Sequence, residues 1–502
     1  MNLDTALLAA ITRKSALAVL VMCSAGPLER AFAQPSELPT EDADRARRSR
    51  EAADDASFGP ILIIEDIEIK GNESTAARVI LRLLPIARGD ILRAGDPRFQ
   101  RARFKLLATG YFRAVELEPR RGSKRGHVIL TVRVKERGTV ILNRLYLGTS
   151  RATPWWAGID GTERNAFGTG VSMGMGGVYA SSGNAEDAQA QWALTLRIAD
   201  PAIRGTPYGA HATALYTRAS EPYRVRGEPS SGAADNFRAF SYSRLSLQAG
   251  LSIDLSPLSQ LALDGRAEWV DADAPLAPTR ERPDGTFEAV QIGLLSGQSR
   301  VVTVTLAFDH DTRPNPVLPF AGTRLVMIGE LGATFVGGSY DFAIGLARYQ
   351  HWWPVHGNRH VLSLHLTGGL VAGQAPQFNR LHTSDFNPLL TPRAFGLVVS
   401  TSPSPDIFGT GADDTSYGDF GASAVLEYSY RLFRERFHVY GGDLFVGAGL
   451  WGLADSRDFK VRDRPLHRAV PVGLIVNAGL RIDTEFGIFE FSFANALGRI
   501  PL

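Results

Sequence analysis

Cysteine is almost missing from the 502 residues: Cys23 is the only one, and it lies in an N-terminal apolar stretch. With that stretch removed, the chain can hold no disulfide, no thiolate zinc site and no thiol nucleophile. An excess of charge of either sign is also lacking, since 54 Lys and Arg stand against 52 Asp and Glu. So balanced a chain offers no electrostatic footprint for nucleic acid. Long apolar runs are the third absence; no stretch of the mature chain reaches the roughly 20 residues that a spanning helix needs. If the mature chain enters a membrane, it does so as a closed barrel, because only helices and closed barrels satisfy their backbone in lipid. Glycine is what the chain has in plenty, at 51 residues. The length exceeds one ordinary globular core and implies two or more domains.

The N-terminus has the pattern of an export signal. Arg13 and Lys14 form a basic start, Ser15 to Ser24 is a short apolar stretch, and Ala31-Phe32-Ala33 is a cleavage pattern that makes Gln34 the mature start. Residues 1–33 are therefore assigned to a signal peptide. The sequence before Cys23 departs from a lipid-attachment box at Met22, which is large where a small residue is needed. Residues 34–59 are polar and charged and predict a disordered linker.

Residues 60–138 predict a compact β-α-α-β-β domain. Ile61 to Ile69 is a strand ending at Gly71-Asn72, and Ser74 is placed to cap a helix over Ala76 to Leu84. Asp96-Pro97 opens a second helix that points Phe99, Phe104, Leu106 and Leu107 at the core. Phe112 to Leu117 and His127 to Val134 are the last two strands.

From residue 139 to 502 the texture changes. Segments of roughly 10 to 15 residues alternate apolar with small or polar side chains. In QWALTLRI, Trp192, Leu194, Leu196 and Ile198 share one face; in AVLEYSYRL, Leu426 and Tyr428 oppose Glu427, Ser429 and Arg431. VTVTLAFD, LSLHLTGGL and FEFSF follow the same rule. Tight links at Val355 to Asn358 and around Gly337 alternate with long polar loops at 219–238, 271–299 and 372–416. This pattern predicts an all-β transmembrane region, an antiparallel outer-membrane barrel of about 14–16 strands.

Isolated motifs for chemistry do not survive their context. Gly170-Val171-Ser172-Met173-Gly174 matches a nucleophile elbow, but it alternates along a strand and no helix follows. His356 and His360 have metal-ligand spacing only on a helix, and Gly357-Asn358 between them makes a turn. Asp309, His310 and Asp311 alternate between strand faces. Trp155-Trp156 and Trp352-Trp353 fit an interfacial girdle. The chain is therefore read as a non-enzyme without cofactor or metal.

Several motifs occur in a telling order. IEDIEIKGN, GDIL, LLATGYFRAVEL and VILTVRVKER resemble a polypeptide-transport-associated (POTRA) domain. ERNAFGTG, RIADPAIRG, DHDTRPNPVLPFAGTRL, YGDFGASAVLEYSYRL and NAGLRIDTEFGIFEFSFA follow. Together they resemble the family of outer-membrane assembly and translocation barrels of the BamA/TamA and surface-antigen type. The resemblance covers residues 60 to 500. It implies an outer-membrane barrel with a periplasmic POTRA domain. The implied partners are unfolded outer-membrane or secreted polypeptides, outer-membrane lipid and periplasmic accessory proteins. The alternative function is a passive or ligand-specific pore.

The resemblance also implies a long loop anchored inside the barrel by an Arg. Here that candidate is Arg393, followed by Ala394-Phe395-Gly396, with Ala where the family has Gly. The family's usual inward acid is Gly447 in this chain. The anchor set is therefore Arg393, Phe395, Glu427 and Asp443, with Glu427 expected to pair with Arg393 and Asp443 in reserve. The end at Arg499-Ile500-Pro501-Leu502 lacks the family's terminal aromatic. The expectation is either a continuing reading frame or a different strand count.

Overall fold

The computed structural model describes residues 61–492 other than 94, 150–152, 204–205, 228–232, 257, 283, 315–317, 358, 388–389, 391–392, 400–416, 437–438, 456–471 and 485–486. The expected signal peptide, linker and C-terminal residues 493–502 lie outside the described residues.

The N-terminal domain is a four-stranded sheet with two helices. In chain order its elements are β1 (Ile61–Lys70), α1 (Ala77–Leu83), β2 (Ile91–Arg93), α2 (Pro97–Ala108), β3 (Phe112–Arg121) and β4 (His127–Glu136). The sheet order is β2-β1-β4-β3. Strand β1 runs parallel to β4, which is antiparallel to β3. Parallel neighbours need a long crossover, and the helical segment between β1 and β4 supplies it. Asp96 caps α2 by accepting from the Arg98 backbone N–H at 2.8 Å, with Pro97 in the first turn. Ile64, Val79, Ile80, Leu92, Leu106 and Leu130 form the buried core. Phe99 and Leu107 pack on its margin.

Two expectations change. Strand β2 was not foreseen, because three residues are too few to show a period. Ser74 does not cap α1; the N-cap position is Ala76, without a side-chain bond. Instead the Ser74 and Thr75 backbone N–H groups donate to the Glu136 carboxylate at 2.8 and 2.7 Å. An acceptor from a distant strand does the work of a local cap. Burial pushes the Glu136 carboxyl up, and these hydrogen bonds outweigh it and hold the group below its ordinary range.

The rest of the chain adds β5 (Val140–Gly148), β6 (Trp156–Ala166), β7 (Val171–Ala180), β8 (Gln191–Asp200), β9 (Tyr208–Arg224), β10 (Phe237–Ser256), β11 (Ser259–Asp273), β12 (Thr279–Glu281) and β13 (Phe287–Ala289). It continues with β14 (Gly297–Asp311), β15 (Gly322–Gly332), β16 (Phe342–His356), β17 (His360–Gly373), β18 (Leu381–His382), α3 (Thr383–Phe386), β19 (Tyr417–Gly418), β20 (Phe420–Arg436), β21 (Val439–Ala454), β22 (Gly473–Thr484) and β23 (Gly487–Ser492). β12 pairs with β13 and β18 with β19, both within loops. The other fifteen strands form one antiparallel sheet in sequence order. The sheet curls until β23 comes alongside β5, with Cα atoms within 8 Å. Among the described residues no backbone ladder joins those two strands.

The expected alternation is present. On β8 Trp192, Leu194, Leu196 and Ile198 are 39 to 51% exposed, whereas Ala193 and Thr195 are 3% exposed. On β20 Leu426 and Tyr428 point outward, and Glu427, Ser429 and Arg431 are buried. Apolar surface in water costs roughly 25 cal/mol per Å², so an unbroken belt of outward Leu and Trp is stable only against lipid. The Trp pairs divide by the same rule: Trp155 and Trp353 are exposed, and Trp156 and Trp352 face inward.

The loops are shorter than expected: residues 237–238 belong to β10, 271–273 to β11, 297–299 to β14 and 372–373 to β17. Residues 219–224 belong to β9, since its ladder with β10 extends to Arg224↔Phe237. The turn around Gly337 joins β15 to β16, so it lies at the same end as the long loops. The links β6–β7, β8–β9, β10–β11, β14–β15 and β16–β17 all fall at the other end, from which β5 leaves the N-terminal domain.

Candidate functional site

The loop between β17 and β20 crosses the barrel interior. Its first part makes a turn over Gln377–Asn379, pairs Leu381–His382 with Tyr417–Gly418, and forms α3. Phe386 is fully buried and lies over Gly421 of β20, where a Cβ would come within 2.3 Å of the ring. Arg380 donates to Asp419 at 2.6 Å and to Asp455 at 2.9 Å, which fixes the loop base to the ends of β20 and β21.

Both the first turn of the loop and its later part reach the opposite wall. Gln377 donates to Glu221 of β9 at 2.6 Å. Phe378 lies against Tyr242 and under the Arg244 guanidinium of β10, 4.4 Å from the ring centroid. Gln191 of β8 donates to the Val398 carbonyl at 3.3 Å. Phe395 packs on Tyr146 of β5, with centroids 5.6 Å apart, and over Gly176 of β7, where a Cβ would sit 2.5 Å from the ring.

The loop tip is a tight turn. Ala394 and Leu397 exchange both backbone hydrogen bonds at 2.9 Å. Phe395 has φ +51° and Gly396 φ +85°, so the two central residues are left-handed, as a type I′ turn requires. Ala394 is not among the left-handed residues. Its backbone needs no glycine, which accounts for Ala at that position.

Arg393 donates to Asp385 at 2.9 Å and to the Phe378 carbonyl at 3.0 Å. Burial pulls its pKa down, and Asp385 more than restores it, so the guanidinium stays charged. Beside it, His382 caps α3 by accepting from Ser384 N–H at 3.2 Å. Burial first and Arg393 second push the His382 pKa down to about 3.

The expected Arg393–Glu427 pair is not formed. Glu427 is on the inward face, as its phase implied, but it accepts from Arg481 of β22 at 2.7 Å. Arg481 reaches it diagonally across β21 from its register partner Asp443, passing over the Phe445 ring. Because residue 447 is glycine, the Asn477 side chain fills the space that an acid would occupy; a Cβ there would be 2.2 Å from its Oδ1. Asp443 lies 3.6 Å from Arg431, not beside Arg393. Arg431 in turn donates to the Leu318 carbonyl at 2.9 Å, holding the β14–β15 link against the inner wall. Asp385, Glu221, Arg244, Tyr146 and Arg481 were not singled out in the sequence. Only Arg481 had a local signal, its inward phase in NAGLRIDT.

The remaining motifs meet the N-terminal domain. In the β6–β7 turn, Asn165 donates to the Thr75 hydroxyl at 2.8 Å and accepts from Gly170 N–H at 2.7 Å. Ala76 N–H donates to the Gly168 carbonyl at 3.0 Å. Tyr111 donates to the Gly170 carbonyl at 3.1 Å. In the β8–β9 turn, Asp200 faces Arg82 at 3.4 Å and Ala202 joins the domain's core. Ser172, two residues past Gly170, is an ordinary strand residue paired with Ala199. His356 and His360 are cross-strand partners in a hairpin with ring centroids 5.9 Å apart.

Residues 62–137 match the POTRA model, described as a surface antigen variable number repeat, and residues 165–500 match the Omp85 superfamily domain. The outer membrane protein assembly factor BamA of Nitratidesulfovibrio vulgaris is 24% identical over 330 residues. That match covers 64% of this chain and 36% of the relative, so the chain spans about a third of that protein's length. Among solved structures, CdiB from Escherichia coli is similar with a TM-score of 0.52 at 14% identity, over 84% of this chain and 70% of that one. BamA from Haemophilus ducreyi lacking POTRA domains 1–3 gives 0.49 at 14% identity, over 86% and 81%. The family model that matches most of the barrel decides the assignment, and the chain belongs to the Omp85 superfamily.

Proposed function

We propose that this protein is an outer-membrane factor that inserts or translocates other polypeptides, with its POTRA domain in the periplasm as their receiver. The observation that carries the reading is a sheet whose edge strand β3 has no further neighbour among the described residues, joined directly to a barrel whose β5 and β23 meet without a ladder among the described residues. An extended client segment adds to β3 through backbone hydrogen bonds, which demand no particular sequence. The β5–β23 seam then opens at low cost, because no ladder among the described residues has to break. Every other neighbouring pair in the sheet is held by a ladder. Binding and displacement suffice for this role, and no catalytic group is required. The loop anchored by Arg393 and Phe395 braces the interior while the seam moves.

The test is depletion of the protein followed by comparison of outer-membrane and secreted proteomes. Loss of many barrels indicates general insertion, and loss of one exported protein indicates a dedicated transporter. Unchanged proteomes, together with a stable large single-channel conductance, would show a pore instead.

A further inference from the structure

We propose that the N-terminal domain selects acidic extended segments, which add to the edge of β3, unpaired among the described residues, with their carboxylates facing a surrounding set of arginines and lysines. The proposal rests on the reading that this domain receives clients, and it names their chemistry. Its basis is a charge segregation hidden by the whole-chain balance. Residues 62–137 hold seventeen Lys and Arg against nine Asp and Glu, a formal +8, although the chain as a whole is +2. The remainder is therefore net negative.

The acids of the domain are largely engaged within it. Glu65 accepts from Ser123 N–H, Asp66 faces Arg88, and Asp90 and Asp96 share Arg98. Glu118 lies between Arg120 and Arg133, and Glu136 holds Ser74 and Thr75. Arg101, Arg103, Arg113, Arg121, Lys124 and Arg125 are all exposed, and none has a carboxylate within salt-bridge distance among the described residues. They border one edge of the sheet. Arg113 and Arg121 stand near the two ends of β3. Lys124 and Arg125 are in the β3–β4 turn. Arg101 and Arg103 are on α2, which lies against β3.

An exposed edge strand is a template for pairing, and like charges guard it against a second copy of itself. The same charges attract a strand of opposite sign and speed its encounter. Pro119 removes one N–H from β3, so the template is strongest over residues 112–118.

The full chain in phosphatidylcholine nanodiscs is titrated into two fluorescent peptides of alternating Thr and Val, one with Glu and one with Lys at the same positions. The acidic peptide is expected to bind about tenfold more tightly at low salt, and the difference should shrink as ionic strength passes about 0.15 M. Combined Arg103→Ser, Arg113→Ser, Arg121→Ser and Arg125→Ser substitution should abolish the preference, with hydrogen exchange across residues 62–137 unchanged. Equal affinity for the two peptides would overturn the charge selection while leaving a client-receiving edge. A preference that survives the four substitutions would also overturn it. So would an effect of the substitutions confined to association with phosphatidylglycerol vesicles, which would assign the basic set to lipid. Binding of neither peptide would remove the receiver role as well.

Discussion

Glu427 is buried and Arg393 half-buried, and each is neutralised by a separate partner, Arg481 and Asp385. Breaking a fully buried pair strands a charge and costs roughly 3–5 kcal/mol, and breaking a half-buried one costs less because water screens the stranded charge. Arg393→Ala and Asp385→Ala should therefore lower barrel stability by non-additive amounts, as should Glu427→Ala with Arg481→Ala. Arg393→Ala with Glu427→Ala should be additive within about 0.5 kcal/mol. Denaturant titrations followed on unheated gels measure all three cycles. His382 gives a pH signature. In the unfolded chain it takes up a proton near pH 6.5, whereas in the docked loop it does so only at about 3. Its contribution to docking is complete above pH 6.5 and is lost as pH falls through that window. His382→Asn keeps a capping acceptor and should flatten the loss, measured as protease access to the loop between pH 7 and 4. Strand phase made Glu427 readable as an inward acid, because the period of two is a local property. Its partner was not readable, because Arg481 approaches from two strands away, over the Phe445 ring. The left-handed Phe395 also had no sequence signal, since β-turn preference alone would put Gly or Asn there.

At the scale of elements, the β6–β7 turn is a docking surface for α1. Gly168 has φ +69°, and a Cβ there would lie 2.2 Å from the Ser74 carbonyl oxygen. Left-handed backbone costs a residue with a Cβ roughly 1–2 kcal/mol before any clash. Gly168→Ala should therefore undock the N-terminal domain from the barrel while both keep their own folds. Faster hydrogen exchange at Ala76, with unchanged gel mobility of the barrel, is the expected readout; protection equal to the parent's would show that the contact is dispensable. The long strands were legible because lipid on one side and a polar interior on the other impose strict alternation. Helix α2 was legible from its cap, since Asp96-Pro97 carries its information locally. Strand β2 and the start of α1 were not, because their hydrogen bonds go to distant strands and leave no spacing in the sequence.

At the scale of the whole molecule, fifteen strands among the described residues, in sequence order, enclose a charged and aromatic interior behind an apolar belt. Such a barrel resists detergent, so the protein should run faster on a gel unheated than boiled; identical mobility would contradict a closed sheet. Its architecture was legible from repetition along the chain. The charge of its N-terminal domain was not, because summing over 502 residues cancelled it. The crossing loop has a further consequence. It hangs from β17 and β20, yet it touches β5, β7, β8, β9 and β10 on the far side. Phe378 and Phe395 pack against strands of the first half of the sheet, and Phe386 packs against β20 in the second. The loop's contacts are complete only when both walls are present, so it works as a strut whose docking reports that the two halves of the sheet have met.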